Sequence, residues 1–275
     1  MKSISRTCFR GSPQNSPQNS RGRSAVLDLA LALVAGLGAG ILNAVVGAGT
    51  LVTYTVLLAL GLNPLAANVT SAAGIFPGSI AGAYTYRNVL REAQLRTELV
   101  LATVAMVVGS LLGIPLLLLL PPEVFSRVVP WLILLAGALT ILQPWLKGRP
   151  VIGVRAVKPR RIVLVLGICA AGIWLSYFGA ATGVITLTVL LIVGIHDLQL
   201  ANGIKNLITG VANCLIGVLF LFIAPVNIPF ALAIAIGSTL GGLVGGRAAQ
   251  RFSPVVFRFV IFLVAILAAA ATFLA

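Results

Sequence analysis

From residue 25 onward this chain is a succession of continuous apolar runs, with most of its charges confined to the gaps between them. A helix of about 20 apolar residues crosses the ~30 Å hydrocarbon core of a bilayer. Inside lipid every backbone N–H and C=O must be paired within the protein, which leaves helices or closed barrels. Barrel strands would alternate apolar and polar residues, and these runs do not. Composition agrees: 59% of residues are hydrophobic and 9% charged, whereas a soluble domain carries about 25% charged residues. Mean hydropathy is +1.10. The expected fold is an all-α integral membrane protein, a polytopic helical bundle, multi-pass in the cell membrane (a bacterial inner membrane).

A net charge of +14 raises nucleic acid as a partner, but its distribution argues against it. Basic residues sit in the N-terminal tail, in turns, and in Lys147–Arg161, the pattern of positive-inside topology and anionic headgroups. Few aromatics accompany them, so the stacking platform of nucleic-acid binders is missing. Cys8, Cys169 and Cys214 have no metal-ligand spacing and make no disulfide framework. No HExxH, Walker or GxSxG pattern occurs. The spans offer no nucleophile or carboxylate pair for an intramembrane enzyme. Neither cofactor nor metal is expected.

Residues 1–24 contain the repetition SPQNSPQNS and read as a disordered polar tail. The run that follows is of spanning length, so signal cleavage is not expected. Residues 25–146 form a first transmembrane repeat, 147–161 a basic cytoplasmic loop, and 162–275 a second repeat. In the first, Val26–Val46 spans, Gly47-Ala48-Gly49 breaks the backbone, and Leu51–Leu60 is a piece only about 15 Å long. Leu65–Tyr86 follows, with Pro77 inside it, which removes one backbone hydrogen bond and is expected to kink the helix. Arg87–Glu98 reads as a charged connector, Leu99–Leu120 and Val128–Leu146 as spans. The second half restarts with Ile162–Phe178, a break at Gly179–Gly183, the short Val184–Val193, then Leu198–Ala224, Phe230–Gly246 and Val255–Ala275.

The halves share a pattern. Thr53-Tyr54-Thr55-Val56-Leu57-Leu58 followed by Gly61 matches Thr186-Leu187-Thr188-Val189-Leu190-Leu191 followed by Gly194. Ala67-Asn68 then matches Ala201-Asn202. Short glycine-interrupted segments at corresponding places in two halves point to a transporter binding site. If the short segments cross, the halves are inverted and both basic loops are cytoplasmic, with the tail outside. If they re-enter, the tail is inside and the last arginine turn is misplaced. The inverted scheme is preferred because it permits alternating access.

The run Ala201–Phe222 carries an unusual load for a membrane helix. At roughly 100° per residue, Asn202, Lys205, Asn206, Thr209 and Asn213 fall on one arc. A charge in hydrocarbon costs at least ~2.5–3.5 kcal/mol, so it faces a bundle interior or a wet cavity. Lys205 flanked by amide donors suits a small anion; the alternative is a lysine that snorkels to the headgroups. Asn68, Ser71 and Ser79 form a weaker stripe, as donors to substrate or to neighbouring helices. The breaks at Gly47, Gly49, Gly179 and Gly183 would aim half-helix N–H groups at an anion, or simply allow close packing. Thr53, Thr55, Thr186 and Thr188 are expected to bond back within their own helices. His196-Asp197 reads as a solvated loop pair, with a proton relay as the other reading. Asp28 suits a helix cap.

With Gly47-Ala48-Gly49, Gly61-Leu62-Asn63-Pro64, Ala67-Asn68-Val69-Thr70-Ser71, Ala201-Asn202-Gly203-Ile204-Lys205-Asn206 and the Gly245-Gly246-Arg247 turn in view, the chain resembles the sulfite exporter TauE/SafE family over nearly all of its length after residue 25. The first glycine motif is thinner than is usual there, and Ala181-Thr182-Gly183 thinner still. The resemblance implies a transporter of small anions, often sulfur oxyanions or organosulfonates. The expected substrate site is Lys205, Asn202, Asn206 and Asn213 from one half with Asn68 and Ser71 from the other. An anion channel and a non-transporting membrane assembly protein are the alternatives. The expected partners are a small anionic substrate and membrane lipids, with homo-oligomerisation left open.

Overall fold

The computed structural model describes residues 25–92, 95–119, 124–125, 127–128, 130–135, 138, 157–195 and 197–251. The expectations for the 1–24 tail, for most of Lys147–Arg161, for His196 and for the last span Val255–Ala275 lie outside these residues, as does much of Val128–Leu146. Among the described residues every regular element is a helix: α1 (Ala25–Val45), α2 (Thr50–Ala59), α3 (Pro64–Thr85), α4 (Arg87–Glu92), α5 (Arg96–Leu119), α6 (Val157–Tyr177), α7 (Thr182–Ile192), α8 (Leu198–Ile223) and α9 (Ile228–Ala249). α1, α5, α8 and α9 are each long and apolar enough to cross a membrane. Large apolar side chains stand exposed in rows along them, Val100, Val104, Val108 and Leu112 on α5 and Leu232, Ile236, Leu240 and Val244 on α9. In water such rows would be a liability; against lipid tails they are the outer surface of a bundle.

The helix starts follow from local chemistry. Asn63, Asp197 and Asn227 cap α3, α8 and α9, each accepting an N–H of the first turn, and Pro64 and Pro229 occupy first-turn positions where no N–H is needed. Three expectations shift. The connector Arg87–Glu98 contains a helix of its own, α4, and α5 already starts at Arg96. Helix α6 begins at Val157, inside the segment read as loop. Asp28 lies within the first turn of α1 rather than ahead of it, where a carboxylate suits the helix dipole. α3 passes through Pro77 without a break.

Contacts give the helix directions. Leu33, Leu37 and Ile41 meet Gly237, Gly241 and Gly245 in turn, so α1 and α9 are parallel. α3 runs the same way, since Gly74 meets Ile234 and Gly78 meets Ser238. Phe76 meets Gly217 and Tyr86 meets Gly203, so α3 and α8 are antiparallel. Gly109 and Gly113 meet Cys169 and Ile173, so α5 and α6 are parallel. Because α1 and α3 point the same way, α2 carries the chain back between them.

Small residues make these approaches close, as expected where lipid gives no hydrophobic drive. A side chain at Gly36, Gly40, Gly237 or Gly241 would run into the backbone of the facing helix. The dominant packing partners are α1 with α9, α3 with α9, and α5 with α6. Each pairs a helix of the N-terminal half with one of the C-terminal half. The backbone also repeats itself. Val46 and Gly47 both donate to the Leu42 carbonyl, and Phe178 and Gly179 both donate to that of Trp174. Gly47 and Gly179 have φ of 83° and 78°, a left-handed helix end that glycine adopts without strain. α2 and α7 end alike, at Gly61 and Gly194, with φ of 94° and 101°.

Candidate functional site

The polar stripe of α8 faces inward along its length. Asn202, Lys205, Asn206, Thr209 and Asn213 are all buried, and Lys205 is 1% exposed. The snorkelling alternative therefore does not describe this side chain. Its ammonium donates to the carbonyls of Asn43 (3.2 Å) and Ala44 (3.1 Å), at the last turn of α1. Helix α1 ends at the Gly47 break, so these carbonyls lack intrahelical partners and lie at the negative end of its dipole. Asn206 Nδ2 and Asn202 Nδ2 donate to the same Ala44 oxygen, at 3.0 and 3.4 Å. Asn202 Nδ2 also donates to the Tyr86 hydroxyl at 2.7 Å. Gly82 of α3 leaves room for the Ala44 side chain.

Asn213 joins this group through a relay. Its amide donates to Ser79 Oγ at 3.1 Å, Asn43 Nδ2 donates to the same oxygen at 2.9 Å, and the Asn43 carbonyl holds Lys205. Four of the six expected substrate residues thus belong to one buried network spanning α1, α3 and α8. Asn68 and Ser71 do not. Asn68 Nδ2 donates to the Tyr177 carbonyl at 3.1 Å, at the end of α6. It does for α6 what Asn202 does for α1. Ser71 is hydrogen-bonded to Thr53 of α2. Serine is too short to reach a neighbouring helix end as lysine does.

The two backbone breaks meet. Gly183 N–H donates to the Gly47 carbonyl at 3.1 Å, and a side chain at either glycine would strike the other's Cα. A methyl group at Gly183 would also stand 3.0 Å from Lys205 Cδ, so the stem of the lysine crosses this junction. Gly49 packs on the Ala39 carbonyl and the Asn43 side chain, and Gly179 faces Thr50. Of the threonines expected to bond back, Thr55 and Thr188 do so, to Leu51 and Val184. Thr53 bonds Thr50 as well as Ser71, and Thr186 Oγ1 is buried without a partner. Asp197 caps α8.

Sequence reasoning passed over Asn43 and Tyr86. Asn43 stands as an amide within an otherwise apolar run just before a glycine break, which is a usable signal. Tyr86 carries no such mark, because its value comes only from packing beside Gly203. Among the described residues no His, Cys, Asp or Glu cluster could hold a metal ion, and the ion pair of Arg161 with Glu98 at 3.2 Å lies at the surface.

Comparison with known proteins adds an independent line. The profile of the family described as Sulfite exporter TauE/SafE matches residues 32–272. Three curated relatives, each named "Probable membrane transporter protein YfcA", come from Escherichia coli strain K12 and from the O6:H1 and O157:H7 strains. Each is 26% identical over 211 residues, covering 76% of this chain and 76% of the relative.

Proposed function

This chain belongs to the sulfite exporter TauE/SafE family of multi-pass membrane transporters, and we propose that it carries small anions of the sulfur oxyanion or organosulfonate class. The observation that supports this most is the ammonium of Lys205. It is buried in a spanning helix and faced by two amides, with no ion pair among the described residues. The α1 carbonyls offer it roughly half a countercharge. Two of its three N–H donors are used, which leaves one for a guest. A small anion beside it would complete the neutralisation.

Movement of the substrate is by alternating access between two inverted repeats, residues 25–146 and 162–275. Support comes from the opposed directions of α3 and α8, the like ends of α1 and α6, and the meeting of Gly47 with Gly183. The substrate site takes Lys205, Asn202, Asn206 and Asn213 from one repeat. Asn68 and Ser71 are its members from the other.

A second reading is favoured by the convergence of three donors on the Ala44 carbonyl: Lys205 as a fixed clamp on α1. Uptake into proteoliposomes separates the two. Sulfite, sulfoacetate, sulfate and acetate are compared between wild type and Lys205→Ala. Saturable uptake of a sulfur oxyanion that disappears in the variant supports the substrate role. Uptake unchanged in a folded variant assigns Lys205 to the clamp, and equal uptake of cations removes the anion reading.

A further inference from the structure

We propose that the start of α2 is an oxyanion subsite, built from the hydroxyls of Thr50 and Tyr54 and the N–H groups of Gly49 and Thr50. It rests on the anion-transport reading above but on none of the side chains assigned there.

The starts of the two half-helices differ in what they have left to give. Both are positive dipole ends with orphan N–H groups. α7 has no side-chain cap, but its hydroxyl is spent: Thr182 Oγ1 donates to the Gly179 carbonyl at 2.9 Å, and the Gly183 N–H donates to the Gly47 carbonyl. At α2 no side chain caps the helix, and the N–H groups of Gly49 and Thr50 donate to no backbone carbonyl among the described residues. Thr50 Oγ1 is buried without a partner.

The second observation is Tyr54. Its side chain is 2% exposed, and its hydroxyl has no hydrogen-bond partner. A buried hydroxyl is ordinarily paired. Helical side chains lean toward the helix N-terminus, so Tyr54, four residues after Thr50, covers the first turn of α2. Both residues also meet the same piece of the opposite break. The Tyr54 ring packs edge-on against Phe178 at 5.8 Å, and a methyl group at Gly179 would stand 3.8 Å from Thr50 Oγ1.

Thr50, Tyr54 and Gly49 thus offer two hydroxyl donors and two N–H donors, with Phe178 against the Tyr54 ring and Trp174 packed in turn on Phe178. Such a set suits a compact oxyanion with three equivalent oxygens, a sulfite or a sulfonate head, better than a carboxylate with two. The neighbouring Gly49 packs on Asn43, whose carbonyl holds Lys205. An anion arriving here would compete with the end of α1 for the ammonium.

The test uses the full-length protein in nanodiscs at fixed ionic strength, with sulfite, methanesulfonate and acetate titrated while the unfolding midpoint is followed. Tyr54→Phe keeps the ring and its packing on Phe178, and Thr50→Val keeps the shape. Loss of one hydrogen bond to a charged ligand weakens sulfite and methanesulfonate binding about tenfold or more in each variant, with acetate weaker than both in wild type. Unchanged affinities in both variants overturn the subsite, and if Lys205→Ala abolishes binding in the same series, the lysine reading stands without it. Weakening in the hydroxyl variants with none in Lys205→Ala keeps the subsite and removes the lysine. Failure of all three anions to bind wild type overturns both.

Discussion

The ammonium of Lys205 is held by carbonyls rather than by a carboxylate, and that choice has a stability consequence. In Lys205→Met the stem is retained and Ala44 keeps two amide donors, while the Asn43 carbonyl loses its partner at a cost of about 1–3 kcal/mol. The desolvation of a buried charge, ~2.5–3.5 kcal/mol in a spanning helix, is relieved at the same time. The unfolding midpoint in detergent should therefore hold or rise while sulfite uptake falls, a pairing that a purely structural lysine would not give. Tyr86→Phe should do the reverse. It removes one neutral hydrogen bond to Asn202, worth about 1 kcal/mol, seen as a lowered midpoint. Helical spacing alone placed Asn202, Lys205, Asn206 and Asn213 on one buried face, because period is a property of sequence. Their acceptors were not legible, since Asn43 and Ala44 act through backbone carbonyls that any residue could supply. Ser71 was grouped with them by its place in the repeat, but its side chain is shorter than lysine's and bonds to Thr53.

Among the elements, the short helices were legible as too brief to span, and their glycine ends as turns. That the two breaks touch was not, because nothing local marks Gly47 and Gly183 as partners. Substituting Gly183 by Ala puts a methyl against the Gly47 backbone and the Lys205 stem. Overpacking of this kind costs about 1–3 kcal/mol, and the expected outcome is a lower yield of monodisperse protein together with lost uptake. The interface of α1 with α9 supplies a paired control. Gly40→Ala drives a methyl into the Ser238 backbone, whereas Gly38 has nothing within 4 Å. Gly38→Ala should raise the unfolding midpoint slightly, by the equivalent of about 1 kcal/mol, and Gly40→Ala should lower it.

For the molecule as a whole, charge and packing assign one face. Gln250 Nε2 donates to the Thr85 carbonyl at 3.0 Å, and Gln199 Nε2 to the Ala249 and Gln250 carbonyls at 3.4 Å. The end of α3, the start of α8 and the end of α9 therefore share a side, with Arg87, Arg91, Arg247 and Arg251. The positive-inside rule predicts that this side faces the cytoplasm. Single cysteines placed at Arg87 or Arg247 should react with a membrane-impermeant maleimide in inverted vesicles, and cysteines at Asn63 or Asn227 in right-side-out ones. The opposite labelling would reverse the assignment. The order of the described helices was readable from hydropathy, but their pairing across the halves depends on which glycine faces which backbone. That pairing bears on how the protein is made. The glycine face of α1 enters the bilayer early in translation, yet its counterpart on α9 is about two hundred codons behind it. Until the ribosome delivers that counterpart, α1 waits in lipid with its closest contacts unmade, so nascent chains halted midway should be prone to clearance by membrane proteases.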